Sequence, residues 1–527
     1  MAKKLKSVDI RMYRQGFGDC FLLTFRYPSG KKHLMIDFGV LKSSKGESKM
    51  KDIAEDILKT TQKKIDTLVV THQHWDHYSG FTKSQAQDII KQLSFDKLWL
   101  AWTEDFENPQ AKALLDRRNK VKEAVKIGLK GMAEHYNKLT MASETQKTKF
   151  ANQLKNIVGI LNFESGIDQP FELSNKKPEE VFGLLGSNKI DNDDRSLVDI
   201  LKELWSDIDQ KKDFLEPNTM IDSKSQGFGL DGVRIYVLGP PSEWEYLRRN
   251  DTAAKGELYI SSSLFDNPTS FINSFEFSDD ERKKDWNDND IPFEESWIEY
   301  IVEDNKITFE DDNKGLRGSE HKRIRNAIQS SEAFRQYNEE SEFNKLRRID
   351  NEYLSYIEPL ALMLNSHTNN TSLVLAIELI DSGKVLLFPG DAQYGNWLSW
   401  TDKKLEWEFK EGDKSKKVSI EELLSRTVFY KVSHHGSHNG TPQNKGLELM
   451  KDKSLIAAVP VDKVAAEEKN WNKIPYSNIM KRLEEKVKKI NGKPAILRSD
   501  SKPEEIPVST QIRVNELYFD IKIQNRD

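Results

Sequence analysis

Three histidines and an aspartate fall within six residues in Val69-Val-Thr-His72-Gln-His74-Trp-Asp76-His77-Tyr-Ser-Gly80. Imidazole and carboxylate ligate zinc, manganese or iron, so this grouping at the end of an apolar run points to a metal site. On a tight turn His72 and His74 can converge on one ion while Asp76 and His77 face a second point nearby. Two later segments offer the partners such a site needs. Leu386-Leu-Phe-Pro-Gly390-Asp391 delivers an aspartate just past a glycine, and Tyr430-Lys-Val-Ser-His434-His435-Gly436-Ser437-His438 ends in paired histidines. Six of the ten histidines lie in the first and last of these segments. Strand alternation puts His434 on the face of Val432 and Tyr430. A residue at a strand end can swing either way, so His434 and His435 both stand as candidate ligands. Cys20 is the only cysteine, which excludes a thiolate cage and a disulfide within the chain.

The elements that must carry these residues read as an α/β core. Val8 to Arg14, Cys20 to Tyr27 and His33 to Asp37 alternate like strands, with Pro28-Ser-Gly-Lys as a turn. Helical spacing follows at Met50 to Thr60. Ile65 to Val70 is the short apolar run of a strand buried on both faces. Phe81 to Leu93 is expected to be a helix and Lys97 to Trp102 another buried strand. From about Thr103 to Ser225 the chain turns Ala-, Leu-, Lys- and Glu-rich, with helical spacing over Asn108 to Lys138 and Glu144 to Leu161. Strand signals return at Gly232 to Pro240, lapse between Pro241 and His367, and resume at Ser372 to Leu379 and Lys384 to Phe388. Val428 to Val432, Leu455 to Val461, Ala495 to Leu497 and Leu517 to Ile523 complete the strands. The apolar strands on either side of each interruption are too few to close a core alone. One split core is therefore expected: residues 1–102, 226–241 and 368–527, with insertions at 103–225 and 242–367.

At 527 residues, with 37% hydrophobic and 31% charged residues, the chain exceeds one ordinary domain and has no run of roughly 18 apolar residues that would cross a membrane. Its basic N-terminus leads straight into strand alternation without an apolar signal core, so the cytoplasm is the expected compartment. A formal charge of −5 provides no global pull toward a polyanion.

The motifs resemble the metallo-β-lactamase superfamily, whose signature is His-x-His-x-Asp-His, then Gly-Asp, then a late strand-end histidine. More narrowly they are similar to the soluble hydrolase domain of the ComEC/Rec2 competence proteins. Gly16-Phe-Gly18-Asp19-Cys20-Phe-Leu22, Met35-Ile-Asp37-Phe-Gly39, Asn370-Thr-Ser372-Leu-Val-Leu375 and His434 to Ser437 match that group's segments. The resemblance implies an αββα sandwich interrupted by two large, mainly helical insertions. It also implies two divalent ions, zinc or manganese, with occupancy of one or both left open. His72 and His74 would hold the first and Asp76 and His77 the second. Asp391 would bridge them, and His434 or His435 would complete the second site. Many superfamily members carry a further histidine for the first ion; here the matching strand ends Leu238-Gly-Pro240-Pro241 without one.

Such a centre activates water for hydrolysis. Asp76 is the candidate to orient the nucleophile while ligating, and water, His438 or Tyr78 could protonate the leaving group. Asp37 is expected to orient the metal loop, and Asp19 and Cys20 to lie in a glycine turn near it. The resemblance implies a phosphodiesterase or nuclease acting on DNA or RNA. The basic stretches Arg117 to Lys122 and Lys322 to Arg325, with Lys431, are candidate phosphate contacts. The alternatives are hydrolysis of a small ester, cyclic nucleotide or thioester, or a non-catalytic scaffold whose insertions bind a partner protein. No membrane partner is expected, and oligomeric state is not legible.

Overall fold

The computed structural model describes residues 4–41, 49–138, 153–154, 156–161, 163–164, 196–225, 229–249, 300–303, 306–309, 357–469, 471 and 473–526. Its fifteen principal strands form two sheets. The first has eight strands in the order Ile512–Val514, Tyr518–Gln524, Ser7–Tyr13, Phe21–Tyr27, Gly30–Ile36, Lys64–Val69, Ser94–Ala101 and Lys212–Leu215. The second has seven: Ile496–Arg498, Ile456–Val459, Thr427–Lys431, Lys384–Phe388, Val374–Leu379, Val233–Gly239 and Met220–Ile221. Each sheet is antiparallel over one half and parallel over the other.

Period-2 alternation decides which side chains meet. Val8, Ile10, Met12, Leu23, Phe25 and Leu34 of the first sheet share one buried cluster with Val233, Ile235, Leu375, Ile377 and Leu386 of the second. The opposite faces are covered by helices. Met50–Thr61 turns Ile53, Ala54 and Ile57 onto Leu22, Met35 and Leu68, while Tyr394–Asp402 and Ile420–Ser425 bring Trp397, Trp400, Leu423 and Leu424 onto the other sheet. At about 25 cal/mol per Å2 of apolar surface, burial on this scale dominates the folding free energy.

The intervening stretches pack together. Val125 and Leu129 of the helix Pro109–Lys138, Ile157 and Leu161, and Ile357 and Leu364 of the helix Ile357–Asn370 form a third cluster. Among the described residues no helix is long and apolar enough to cross a membrane.

Several expectations need correction. Phe81 to Leu93 is not one helix: it holds the end of a 3-10 turn, Ser79–Phe81, and a single helical turn, Gln87–Ile90. Thr82 is the reason at the start, since its hydroxyl donates to Ser79 O at 2.6 Å and closes a local turn. Lys212–Leu215 and Met220–Ile221, placed by sequence in the helical insertion, are strands at the edges of the two sheets. Short edge strands bury little, so their apolar pattern is weak. The hairpins Tyr300–Glu303 with Lys306–Phe309 and Glu406–Glu411 with Lys414–Ser419 were not legible either. Of Glu144 to Leu161, the described part is helical. The basic stretch Lys322 to Arg325 lies outside the described residues.

Candidate metal centre

Parallel strands all end at the same side of a sheet, and loops leaving those carboxyl ends can converge there. Gly30–Ile36 leads to Asp37, Lys64–Val69 to the loop carrying His72 through His77, Lys384–Phe388 to Asp391, and Thr427–Lys431 to His435. All of these side chains are buried. His435 Nε2 lies 2.8 Å from Asp76 Oδ2 and 3.0 Å from Asp391 Oδ2. His77 Nε2 lies 3.6 Å and 3.2 Å from the same two oxygens. Beside them, His72 Nε2 and His74 Nδ1 are 3.0 Å apart. Asp19, His77, Asp391 and His435 offer ligand atoms all within 4.8 Å of one another, a grouping that could hold a metal ion.

The backbone is shaped to bring this about. Gly18 and Gly39 press against the loop so closely that a Cβ on either would lie 2.6 Å or less from backbone atoms of Asp76 or Gly39. That contact lets Asp19 N–H donate to Asp76 O at 3.0 Å and Phe38 N–H donate to His77 O at 2.7 Å. His434 and His435 both adopt left-handed conformations, φ 46° and 52°. For non-glycine residues this costs about 1–3 kcal/mol each, and it points their rings in different directions.

Each ring nitrogen facing away from the cluster meets an acceptor. His77 Nδ1 lies 2.8 Å from Asp37 Oδ2, and His435 Nδ1 lies 2.6 Å from Pro460 O. Asp37 also accepts from Thr71 N–H and Thr71 Oγ1 at 2.7 and 2.8 Å. With a proton fixed on the outer nitrogen of each neutral ring, the inner nitrogen is left as a bare donor atom. The inner atoms are the ones lacking hydrogen-bond partners: Asp76 Oδ1 and Oδ2, His77 Nε2, Asp391 Oδ2 and His435 Nε2 are buried and unsatisfied. Such groups are costly unless a further partner is bound.

The electrostatics have the same origin. Burial alone would raise the carboxyls, yet Asp391 is held well below the usual range by His435, Lys431 and His77, and Asp76 is lowered by His77 and His435. Burial alone would lower the imidazoles. The surrounding carboxylates, Asp391 foremost, reverse this, lifting His435 to about 9 and His77 well above its ordinary value. Asp19 is pushed up to about 6 by burial, against the pull of Lys431. Without a cation, the carboxylates recruit protons onto the imidazoles that would otherwise be its ligands.

His435 belongs to the cluster and His434 does not. The His434 ring is in contact with Asn369 Nδ2 at 3.1 Å, Gln393 Nε2 at 3.1 Å and Ser437 Oγ at 2.5 Å, and burial lowers it to about 3. His438 is half-buried, edge-on to Tyr476. Lys431 is corrected as a phosphate contact: it is 1% exposed, and its Nζ lies 2.7 Å from Asp19 Oδ2 and 2.8 Å from Asp391 Oδ1. Within the stretch Arg117 to Lys122, Asn119 and Lys120 are exposed while the other charged residues are wholly or partly buried. Arg118 is paired with Glu164, Lys122 is buried, and Arg117 lies over the Trp244 ring beside a small pocket that His367 also lines.

Four contributors were undervalued or missed. Asp19 lies in the cluster, and its position after Gly18 was the available signal. Asn370 and Ser372 support Asp391: Ser372 Oγ accepts from Asp391 N–H, and Asn370 Oδ1 accepts from Gln393 N–H, each at 3.1 Å. Glu164, 2.8 Å from His74 Nε2, had no signal at all.

A model of the family described as the metallo-beta-lactamase superfamily matches residues 13–148. The chain thus carries a metallo-beta-lactamase superfamily domain there, a span that includes Asp19, Asp37 and the whole His72 to His77 loop. Comparison with curated proteins gives no match, and neither does comparison with solved structures.

Proposed function

We propose that the chain is a metal-dependent hydrolase acting on phosphodiesters, with its centre built from the His72 to His77 loop, Asp391 and His435. The observation that carries this is the set of five buried, unsatisfied nitrogen and oxygen atoms facing one another, next to imidazoles whose outer nitrogens are already committed. All-nitrogen-and-oxygen donors of this kind suit zinc or manganese. His77, Asp76, Asp391 and His435 would hold one ion and His72 with His74 the other, and the facing sheets would be the superfamily's sandwich, completed by residues beyond 226. Divalent ions bound there would supply Lewis acidity, making water nucleophilic near neutral pH and neutralising charge on a phosphoryl oxygen.

The chain's own residues do the rest. Asp37 and the Pro460 carbonyl fix His77 and His435 in the tautomer that leaves Nε2 bare. Lys431 neutralises Asp19 and one oxygen of Asp391, leaving the other, Oδ2, directed at the two imidazoles. Asp76, with both oxygens unsatisfied, can orient a water while it ligates. His438 or water would protonate the leaving group.

Nucleic acid remains the proposed substrate by resemblance. A second reading, a small phosphodiester such as a cyclic nucleotide, is favoured by the burial of Lys122 and Lys431 and the pairing of Arg118 with Glu164, which leave fewer cations for an extended polyanion. The test is metal analysis of the purified protein, followed by assays on single-stranded DNA, plasmid DNA and bis(4-nitrophenyl) phosphate with manganese or zinc, beside Asp391→Asn. Polymer cleavage lost in the variant supports the nuclease, and turnover of the small ester alone supports the second reading. Protein without stoichiometric metal, and no turnover of any substrate, would leave the scaffold reading.

A further inference from the structure

His72 offers Nε2, and His74 offers Nδ1, to the space between them. For Nδ1 of a neutral His74 to be bare, the ring proton must sit on Nε2. Glu164 Oε1 meets that atom at 2.8 Å. The carboxylate is on the other nitrogen of the ring, so it does not compete for the point that His72 and His74 share. Glu164 lies 90 positions along the chain from His74, and its side chain is fully buried. Its second oxygen accepts from Arg118 Nε and Nη2 at 2.9 and 2.8 Å. The same guanidinium donates to Gln73 Oε1 at 2.7 Å and to Gln73 O at 2.8 Å. Two residues from the stretch expected as an insertion therefore grip Gln73-His74 by backbone, side chain and ring.

The neighbouring residue supplies an apolar anchor. Phe163 stacks on Trp471 with centroids 4.7 Å apart and lies against the rings of His74 at 5.5 Å and Phe17 at 6.0 Å. Phe17 in turn lies 4.2 Å from the His435 ring. The pair Phe163-Glu164 is thus wedged between the two histidine groups, with the aromatic ring fixing where the carboxylate can reach.

We propose that Glu164 is a positioning residue: it holds His74 as the Nε2–H tautomer, so that metal affinity at the His72–His74 half-site depends on docking of this segment. The inference rests on the metal-centre reading above. It separates the two half-sites, since His77 and His435 are oriented by Asp37 and Pro460, whereas His74 is oriented by a residue brought from far along the chain.

The experiment measures zinc binding to the full-length protein by chelator competition, together with the absorption spectrum of the cobalt(II) form. The proteins compared are the wild type, Glu164→Gln and the double variant Arg118→Gln/Glu164→Gln. A lost carboxylate partner of a ligating histidine weakens metal binding roughly 10–100-fold. One of two bound equivalents should weaken by that factor in both variants, with altered cobalt bands, while the other keeps its affinity. The double variant removes the Arg118–Glu164 pair together, so neither is left buried without the other, which guards against simple misfolding. Nitrogen-15 spectra of the zinc-loaded wild type, which need no variant, should show His74 protonated at Nε2. Unchanged affinities and cobalt spectra in folded variants overturn the proposal, as does an Nδ1–H tautomer or a single bound equivalent indifferent to Glu164. Wild-type protein that binds no zinc overturns the metal-centre reading and this inference with it, and the wild-type control alone distinguishes that case.

Discussion

Replacing His435 and His434 by alanine, one at a time, should separate metal binding from stability at adjacent positions. His435 Nε2 faces Asp76 and Asp391 at 2.8 and 3.0 Å. If zinc binding is worth about 10–16 kcal/mol and four protein groups share it, each contributes about 3–4 kcal/mol, or roughly 10²–10³ in affinity at 1.4 kcal/mol per decade. His435→Ala should lose affinity by that factor. His434 instead touches Asn369, Gln393 and Ser437. A neutral ring has one N–H and one lone pair, so two hydrogen bonds at a net 0.5–1.5 kcal/mol each make His434→Ala about 1–3 kcal/mol less stable, with zinc affinity close to wild type. The left-handed backbone does not confound the comparison, because both positions carry it and both receive the same residue. Chelator competition gives the affinities, and thermal melts in excess chelator give the stabilities. A His434→Ala protein that loses zinc while His435→Ala keeps it would refute the assignment and the tautomer reasoning beneath it.

Three further outcomes follow from the same geometry. Folded-state values above the ordinary 6.5, about 9 for His435 and higher than ordinary for His77, stabilise the metal-free protein below that pH, and this stability is lost as pH rises toward 9. Zinc must displace those protons, so its affinity should climb over the same window; melts and chelator titrations from pH 6 to 9.5 check both signs. Gly39→Ala would put a Cβ 2.3 Å from Asp76 C and 2.4 Å from His77 N, backbone atoms that cannot step aside. It should destabilise the fold by about 1–3 kcal/mol or more and lower metal content, and wild-type metal content in that variant would contradict the packing argument. Asn370→Ala strips partners from Leu247 O, Gln393 N and Asn396 N, while Arg249 O keeps Gly395 N–H. At about 1–3 kcal/mol per unsatisfied buried group it should cost at least 3 kcal/mol, read as a drop in melting temperature.

What was legible in the chain itself was local chemistry on periodic elements. The spacing of His72, His74, Asp76 and His77 after an apolar run, the Gly390-Asp391 pair and the histidines after Lys431 each mark a strand end. Strand alternation likewise announced most of the two sheets, because burying one face imposes a period of two on the sequence. Short edge strands such as Lys212–Leu215 bury too little to imprint that period, and they escaped. The choice between His434 and His435 escaped for another reason: both leave the strand in left-handed conformations, so alternation stops applying at Lys431. The tertiary fold alone decided that Arg118 pairs with Glu164, that Lys431 pairs with Asp19 and Asp391, and that Lys122 is buried. It also decided that Glu164 reaches His74. These are long-range encounters, fixed by how distant segments pack, and no spacing along the chain encodes them.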